Sequence, residues 1–296
     1  MLRLSIIIVT YNSEKDIYQC LDSIYAFSDL PEEEFEIIIV DNNSKHVDEL
    51  FSRIRQDYPR NVHCVKNPKG NGGYGQGNNI GIKEAKAPVV LIMNPDIRLM
   101  QPVFLTPVEA MEADHDISMY GMKQMLTDKI PSKNSFSCTY MMNGYLYTIM
   151  TAVSNRWDYF NPKYMYFSGC CFFIRKDLFQ TIGLFDETVF MYGEEDDIHY
   201  RMTQKHGAHM VYNPKLRYIH KTLGRKPTLS YHKQVVDVAI LQNEKKGYPK
   251  RKTVLNRIRN TRMLLWREWL KLKLGKADHE HYEQLRAYMS YLKSLR

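Results

Sequence analysis

Leu4-Ser5-Ile6-Ile7-Ile8-Val9-Thr10-Tyr11-Asn12 is a short, β-branched apolar run that stops at polar residues. It reads as a strand buried on both faces whose carboxyl end meets a polar edge. The same pattern returns three times. Phe35–Val40 ends in Asp41-Asn42-Asn43-Ser44, Val62–Val65 is a shorter run, and Pro88–Met93 ends in Asn94-Pro95-Asp96. Helical spacing fills the gaps: Ile17, Leu21 and Ile24 within Ser13–Phe27, where Ser13 suits an N-cap, then Val47–Tyr58 and Tyr74–Ala85. Alternating strand and helix predicts an α/β fold with a parallel, doubly wound sheet. Ligands bind such sheets at the carboxyl ends of strands, where Thr10, Asp41 and Asp96 stand.

Beyond Leu99 the pattern is less regular. We expect a helix at Pro102–Ala113, strands at Ile117–Gly121 and Gly169–Ile174, and helices at Lys176–Ile182 and Glu195–His206. Two more strands are expected at His209–Tyr212 and Arg217–His220, and residues 123–166 read as loops or short strands over the sheet edge. From Ser230 the chain reads as helical, with breaks near Gly247-Tyr248-Pro249 and Gly275. The expected division is 1–225 and a basic helical region, 226–296.

The five cysteines, Cys20, Cys64, Cys138, Cys170 and Cys171, have no CxxC spacing. They read as reduced, mostly buried residues, which argues against a zinc site. Leu4–Val9 is too short for a signal core, and no apolar run approaches the roughly 20 residues of a spanning helix. The expectation is a cytoplasmic protein. The net charge of +8 is uneven. Lys245 to Lys276 carries twelve Lys/Arg against one acid, Glu268, so the remainder is net −3.

Several motifs could carry chemistry. Asp96 either caps the segment after its strand or holds a divalent cation bridging two phosphates, a task needing only one or two protein carboxylates. His220 ends a strand in a basic neighbourhood of Arg217, Lys221 and Arg225. Imidazole suits a transition metal, so a meeting of His220 with Asp96 would favour manganese. Glu194, Glu195, Asp196 and Asp197 open a helix after Gly193. Acids there complement the helix dipole, and one could instead take a proton from a sugar hydroxyl. Glu194 and Asp197 share a face. Gly70-Asn71-Gly72-Gly73-Tyr74-Gly75-Gln76-Gly77-Asn78-Asn79 fails the GxGxxG spacing; its glycines read as permitting close backbone approach to a ligand.

Taken in order, Ser5–Asn12, Ile38–Ser44, Asn71–Asn79, Asn94-Pro95-Asp96, Gly183-Leu184-Phe185-Asp186-Glu187, Tyr192–Asp197 and His220 resemble the inverting family-two glycosyltransferases. The similarity is to the rhamnosyltransferase-like and galactofuranosyltransferase-like branch, over about residues 2–224. The resemblance implies a GT-A fold, Rossmann-like with a mostly parallel sheet flanked by helices, followed by a C-terminal helical extension. It implies a nucleotide-diphosphate sugar donor, UDP- or dTDP-linked, and a divalent metal, Mn2+ or Mg2+. Thr10, Tyr11 and Asn12 would line the nucleotide pocket and Asp41 would contact the base or ribose. Asn43, Asn71, Gly72 and Asn94 complete the expected donor set. Asp96 matches the last acid of the family's Asp-x-Asp motif, and Asn94 replaces the first, removing a charge. His220 matches the late metal ligand. Glu195 matches the base that deprotonates the acceptor, Asp197 a further acid orienting it, and Glu194 is the competing candidate.

The expected activity is an inverting transfer to a growing, lipid-linked glycan of the cell surface. A nucleotidyltransferase is the first rival, disfavoured because residues 70–79 lack Lys or Arg. A non-catalytic sugar-nucleotide-binding subunit is the second. Acceptor choice is expected in the aromatic segment Tyr140, Tyr145, Tyr147, Trp157, Tyr159, Phe160, Tyr164, Tyr166 and Phe167, whose rings either stack on sugars or fill a core. The basic tail, with Leu255, Ile258, Leu265, Trp266, Trp269 and Leu270 among its cations, reads in two ways. It lies on an anionic membrane surface at the inner face of the cell membrane, or its apolar stripe packs on the catalytic domain or a second subunit. No nucleic-acid-binding motif accompanies the charge.

Overall fold

The computed structural model describes residues 1–58, 61–139, 144–221, 228–275 and 279–296. The chain forms two compact units: Met1–Phe136 with Phe160–Lys221, and Ser137–Tyr159 with Thr222–Arg296. The expected division at 225/226 lies outside the described residues, as do Tyr140, Arg225 and Lys276. Ser137–Tyr159 groups with the C-terminal helices.

The first unit is an α/β domain. Its strands are β1 (Leu4–Thr10), β2 (Phe35–Asp41), β3 (Val62–Lys66), β4 (Val89–Met93), β5 (Ile97–Leu99) and β6 (Met119–Met125). Two short strands, β7 (Phe136–Cys138), of which only Phe136 belongs to this unit, and β8 (Met165–Phe167), lie outside the main sheet, which is completed by β9 (Cys171–Arg175) and β10 (Met210–His220). The eight strands run in the order β3-β2-β1-β4-β9-β6-β10-β5. Six share one direction; β9 runs antiparallel to β4 and β6, and β5 antiparallel to β10. The sheet is therefore mixed rather than purely parallel.

Every residue of β2 and β4 is buried, as two-sided coverage requires. Leu4, Ile6, Ile8, Ile37 and Ile39 pack with Ile17, Leu21 and Ile24 of α1 (Glu14–Ala26) and with Leu50, Phe51 and Ile54 of α2 (Val47–Asp57). The opposite face takes α3 (Tyr74–Glu84), where a Cβ on Gly81 would meet Ile7 and Val40. Helices α4 (Leu105–Ala113), α6 (Lys176–Thr181) and α7 (Glu194–His206) complete this unit, and α5 (Gly144–Arg156) belongs to the other.

Registers set the geometry of the strand ends. Thr10 pairs with Asp41 across β1 and β2. His220 pairs with Ile97 across β10 and β5, one residue from Asp96. Met93 pairs with Cys171 across β4 and β9.

Three local expectations are corrected, and one strand escaped the sequence reading. Ser13 occupies the α1 N-cap, but its hydroxyl donates to the Tyr11 carbonyl instead of capping the helix. The two expected strands at 209–212 and 217–220 are one strand, interrupted between Asn213 and Arg217, where Pro214 lacks the N–H a ladder needs. The three-residue β5 is too short to register as a strand pattern. Residues 144–156, expected as loops or strands, are the helix α5, whose pattern is inverted. Leu146, Ile149 and Val153 are exposed, whereas Thr151, Ser154 and Asn155 are buried. A helix that buries its polar face shows no conventional apolar stripe.

The second unit holds α5, α8 (Leu229–Lys245), α9 (Lys250–Lys273) and α10 (His279–Ser294). Val236, Ile240, Val254, Ile258, Tyr288, Met289 and Leu292 form its core. Thr148 of α5 donates to Asn260 of α9 at 2.5 Å. The helix breaks fall where expected, with Gly247 at a positive φ of 82° and Pro249 as the α9 N-cap.

Candidate active site

The carboxyl ends of β1, β2 and β3 are knitted by polar side chains. The Asp41 carboxylate, 1% exposed, accepts from the Thr10 hydroxyl at 2.9 Å, the Ser44 N–H at 2.7 Å and the Ser44 hydroxyl at 2.6 Å. Ser44 also accepts from the Asn12 N–H at 2.7 Å, and Asn12 holds a left-handed φ of 50°. Tyr11 is 53% exposed, and Asn43, also left-handed at 69°, is exposed. Thr10 and Asp41 thus brace the loops, while Tyr11, Asn12 and Asn43 present themselves to solvent. Buried Asn42 donates to the Gly73 carbonyl at 3.0 Å and accepts from Asn67 at 2.9 Å.

The Gly-rich segment packs closely on its surroundings. Gly73 has φ 93°, and a Cβ there would meet the Phe190 carbonyl oxygen at 2.0 Å. Tyr74 N–H donates to the same oxygen at 3.1 Å. The segment is pinned to the loop preceding α7. Gly72 is crowded by the Gln76 amide, and the Asn71 side chain accepts from the Gly73 N–H at 3.2 Å.

Asp96 and His220 come together. Their Oδ2 and Nε2 atoms are 3.3 Å apart, close to the edge of a coordination polyhedron with bonds of about 2.1 Å. The Gln124 amide stands 3.3 Å from Nδ1 of His220. Burial pulls the His220 pKa down, but hydrogen bonds to Asp96 and Cys170 outweigh it and raise it to about 10. Among the described residues no cluster of three or more His, Cys, Asp or Glu could hold a metal. Two donors suffice when diphosphate oxygens and water complete the shell, so the pair fits a divalent ion. Asn94 adjoins it, its N–H donating to the Cys170 carbonyl at 2.8 Å.

The four acids at the start of α7 diverge. Asp197 turns to Arg201, which donates at 2.9 Å and 2.5 Å and reaches on to the Ile182 carbonyl. Glu195 accepts from the Gly169 N–H at 3.1 Å. Glu194 is 4% exposed, and its Oε1 has no hydrogen-bond partner among the described residues. Burial raises the pKa of both Glu194 and Glu195, and the charge of Glu195 raises Glu194 further, to about 8. A neighbouring pair of raised carboxyls suits proton transfer near neutrality.

Gly169 and Cys170 join the acids to the Asp96–His220 pair. Gly169 contacts Glu195 through its N–H and Tyr74 through its carbonyl, at 2.5 Å. Cys170 Sγ lies 3.3 Å from the Tyr218 hydroxyl and 3.8 Å from Gln124 Oε1. Gln124 inside β6, Arg201 inside α7, and Gly169 and Cys170 in the turn before β9 were missed in the sequence because single residues in such places carry no motif. The one available hint was Gly169 adjoining an apolar run. Of the aromatic segment, Phe160 and Phe167 stack with centroids 4.5 Å apart beside Phe136 and Tyr212. Tyr166 lies near His199, and Trp157 of the helical unit is 74% exposed.

A family model described as "Glycosyl transferase family 2" matches residues 5–183. The chain belongs to glycosyl transferase family 2. This family 2 chain is 28% identical over 206 residues to the low-salt glycan biosynthesis hexosyltransferase Agl10 of Haloferax volcanii, covering 67% of the chain and 61% of Agl10. It is 28% identical over 125 residues to the poly(ribitol-phosphate) beta-N-acetylglucosaminyltransferase TarS of Staphylococcus aureus, covering 42% of the chain and 21% of TarS. The chain thus spans under two thirds of either relative. Among solved structures, the mannosyltransferase PcManGT from Pyrobaculum calidifontis, in complex with GDP-Man and Mn2+, superposes with a TM-score of 0.57. The identity is 20%, with 98% of this chain and 69% of that one covered. Residues 1–349 of TarS with UDP-GlcNAc give 0.55 at 16% identity, covering 100% and 81%. The fold is GT-A-like with C-terminal helices.

Proposed function

We propose that this chain is an inverting glycosyltransferase that moves a sugar from a nucleoside-diphosphate donor to a glycan acceptor. The observation carrying the reading is Gly169-Cys170, which ties the Asp96–His220 pair to Glu195 through adjacent residues. Asp96 and His220 would hold a divalent metal, manganese by the imidazole's preference; when bound, the metal neutralises charge developing on the departing diphosphate. Tyr11, Asn12, Asn43, Asn71, Gly72 and Asn94 are assigned to the donor side, with Thr10 and Asp41 shaping its floor. Glu195 takes the proton of the acceptor hydroxyl as that oxygen attacks the anomeric carbon, and one displacement inverts the centre. Burial raises the pKa of Glu195, and the charge of Glu195 in turn raises that of buried Glu194. Asp197 acts through Arg201 to position α7.

Within the family we favour the rhamnosyl- and galactofuranosyl-transferring branch, with a UDP- or dTDP-sugar donor and a lipid-linked saccharide acceptor in cell-surface polysaccharide synthesis. Support comes from the motif order and from relatives named for glycan and poly(ribitol-phosphate) glycosylation. A thermal-shift screen of UDP, dTDP and GDP with and without Mn2+ tests the donor side. Metal-dependent stabilisation by one diphosphate is expected, since ligand binding to the native state raises Tm by mass action. Turnover of the matching nucleotide sugar then separates a transferase from a binding subunit. Stabilisation without turnover on any acceptor would favour the subunit.

A further inference from the structure

We propose that one face of α9 seats the helical unit on an anionic lipid bilayer. Arg259, Arg262, Trp266, Trp269 and Lys273 recur at steps of three and four along α9, so they share one face. The buried face is a different stripe, Val254, Ile258, Thr261 and Glu268, with Leu265 packed against the unit's core. The two stripes are offset by one residue, about 100° around the helix.

The exposed stripe is unusual in content. Trp266 is 62% exposed and Trp269 43%, with Leu274 just beyond the helix at 68%. Indoles carry an apolar body and a wet edge, which suits the headgroup boundary of a bilayer. Arg259 and Arg262 precede the tryptophans and Lys273 follows, and Lys273 lies over the Trp269 ring at 5.9 Å. Long cationic side chains can lie along apolar surface while their charges reach phosphate. The single acid between Lys245 and Lys276, Glu268, accepts from Arg267 and Lys271, each at 2.9 Å. It is neutralised within the helix and leaves the stripe basic. Charge complementarity therefore selects an anionic surface, and the paired indoles select a lipid one. Among the described residues no helix is long and apolar enough to cross a membrane, so the geometry is a helix lying in the interface plane. The stripe belongs wholly to the helical unit, so vesicle binding can be measured without turnover and stands apart from the transfer reaction.

The test uses the full chain carrying Trp157→Phe. The chain has three tryptophans, so emission then reports only Trp266 and Trp269. We expect co-sedimentation with phosphatidylcholine vesicles containing phosphatidylglycerol, and none with phosphatidylcholine alone. A blue shift on binding and quenching by brominated acyl chains should accompany it. Trp266→Ala with Trp269→Ala, and separately Arg262→Glu with Lys273→Glu, should each lower the partition coefficient roughly ten-fold or more. All four side chains are on the exposed stripe, so melting temperature should hold. Unshifted emission on vesicle binding would reduce the effect to charge adsorption and overturn the proposal. So would undiminished binding by either double variant. Absence of vesicle binding, with a dimer in light scattering that the tryptophan variant abolishes, would assign the stripe to a second copy instead.

Discussion

The backbone N–H of Gly169 donates to Oε1 of Glu195 at 3.1 Å, and a Cβ at position 169 would meet that oxygen at 2.0 Å. The carboxylate occupies the space a side chain would need. Gly169→Ala should therefore displace Glu195 while leaving β9 paired. We expect turnover to fall about ten- to a hundred-fold, less than the usual worth of a general base. Donor affinity by calorimetry should be unchanged. Equal turnover in Gly169→Ala would mean that Glu195 does not work from this position.

The acids of α7 should separate by phenotype. Glu195→Gln keeps the shape and removes the proton acceptor, so turnover should fall about 10²–10⁴-fold with the fold intact. Asp197→Asn weakens the pair with Arg201, which is partly exposed, and should cost stability, about 1–3 kcal/mol. Steady-state turnover and thermal melts on both variants check this. Loss of turnover in Asp197→Asn at unchanged Tm would move the base half a helical turn along.

Glu194 makes stability depend on pH. Burial, then the charge of Glu195, raises its pKa from 4.5 to about 8. Between those values the native state holds a proton that the unfolded chain has released, so stability falls as pH rises through this window. The slope is at most about 1.4 kcal/mol per pH unit for one group. Glu194→Gln removes this group's contribution, and its Tm between pH 5 and 8 should decline less than the wild type's. A parallel decline in both proteins would reject the assignment.

Asp96→Ala should abolish Mn2+-dependent stabilisation by the matching nucleoside diphosphate. Gln124→Leu tests the residue beside His220 Nδ1. Partners that orient a metal-ligating imidazole commonly contribute 10–100-fold to metal affinity, so Mn2+ titration should weaken by about that factor with Asp96 intact. If Asp96→Ala matters and Gln124→Leu does not, the metal pair stands and the orienting role falls.

Gly73→Ala addresses the join between the Gly-rich segment and the loop before α7. A Cβ would meet the Phe190 carbonyl at 2.0 Å, at a φ of 93° that other residues rarely adopt. We expect a loss of about 1–3 kcal/mol, read as a drop in Tm. An unchanged Tm would show that the loop yields.

Much of the candidate site was legible because strand ends advertise themselves. Thr10, Asp41, Asp96 and His220 each follow an apolar run, and the acids of α7 form an unbroken block. What those residues do was less legible. Asp41 ends a strand and Asp197 opens a helix, and neither position names its partner: one is held by Thr10 and Ser44 and the other by Arg201. Such partners are set by packing across 31 residues in one case and by one helical turn in the other. The helix at 144–156 was hidden because its buried face is Thr, Ser and Asn, against the rule by which amphipathic helices are read.

The sequence by itself determined the alternation of β1 to β4 with their helices, the polar strand ends, the acidic opening of α7 and the basic C-terminal region, because local propensity and apolar periodicity encode them. The tertiary structure decided which of these meet. Antiparallel β9 carries Gly169 and Cys170 to its rim, and the register of β10 on β5 sets His220 one residue from Asp96. Neither can be read from spacing, because strand order and register come from long-range burial that no short window of sequence contains.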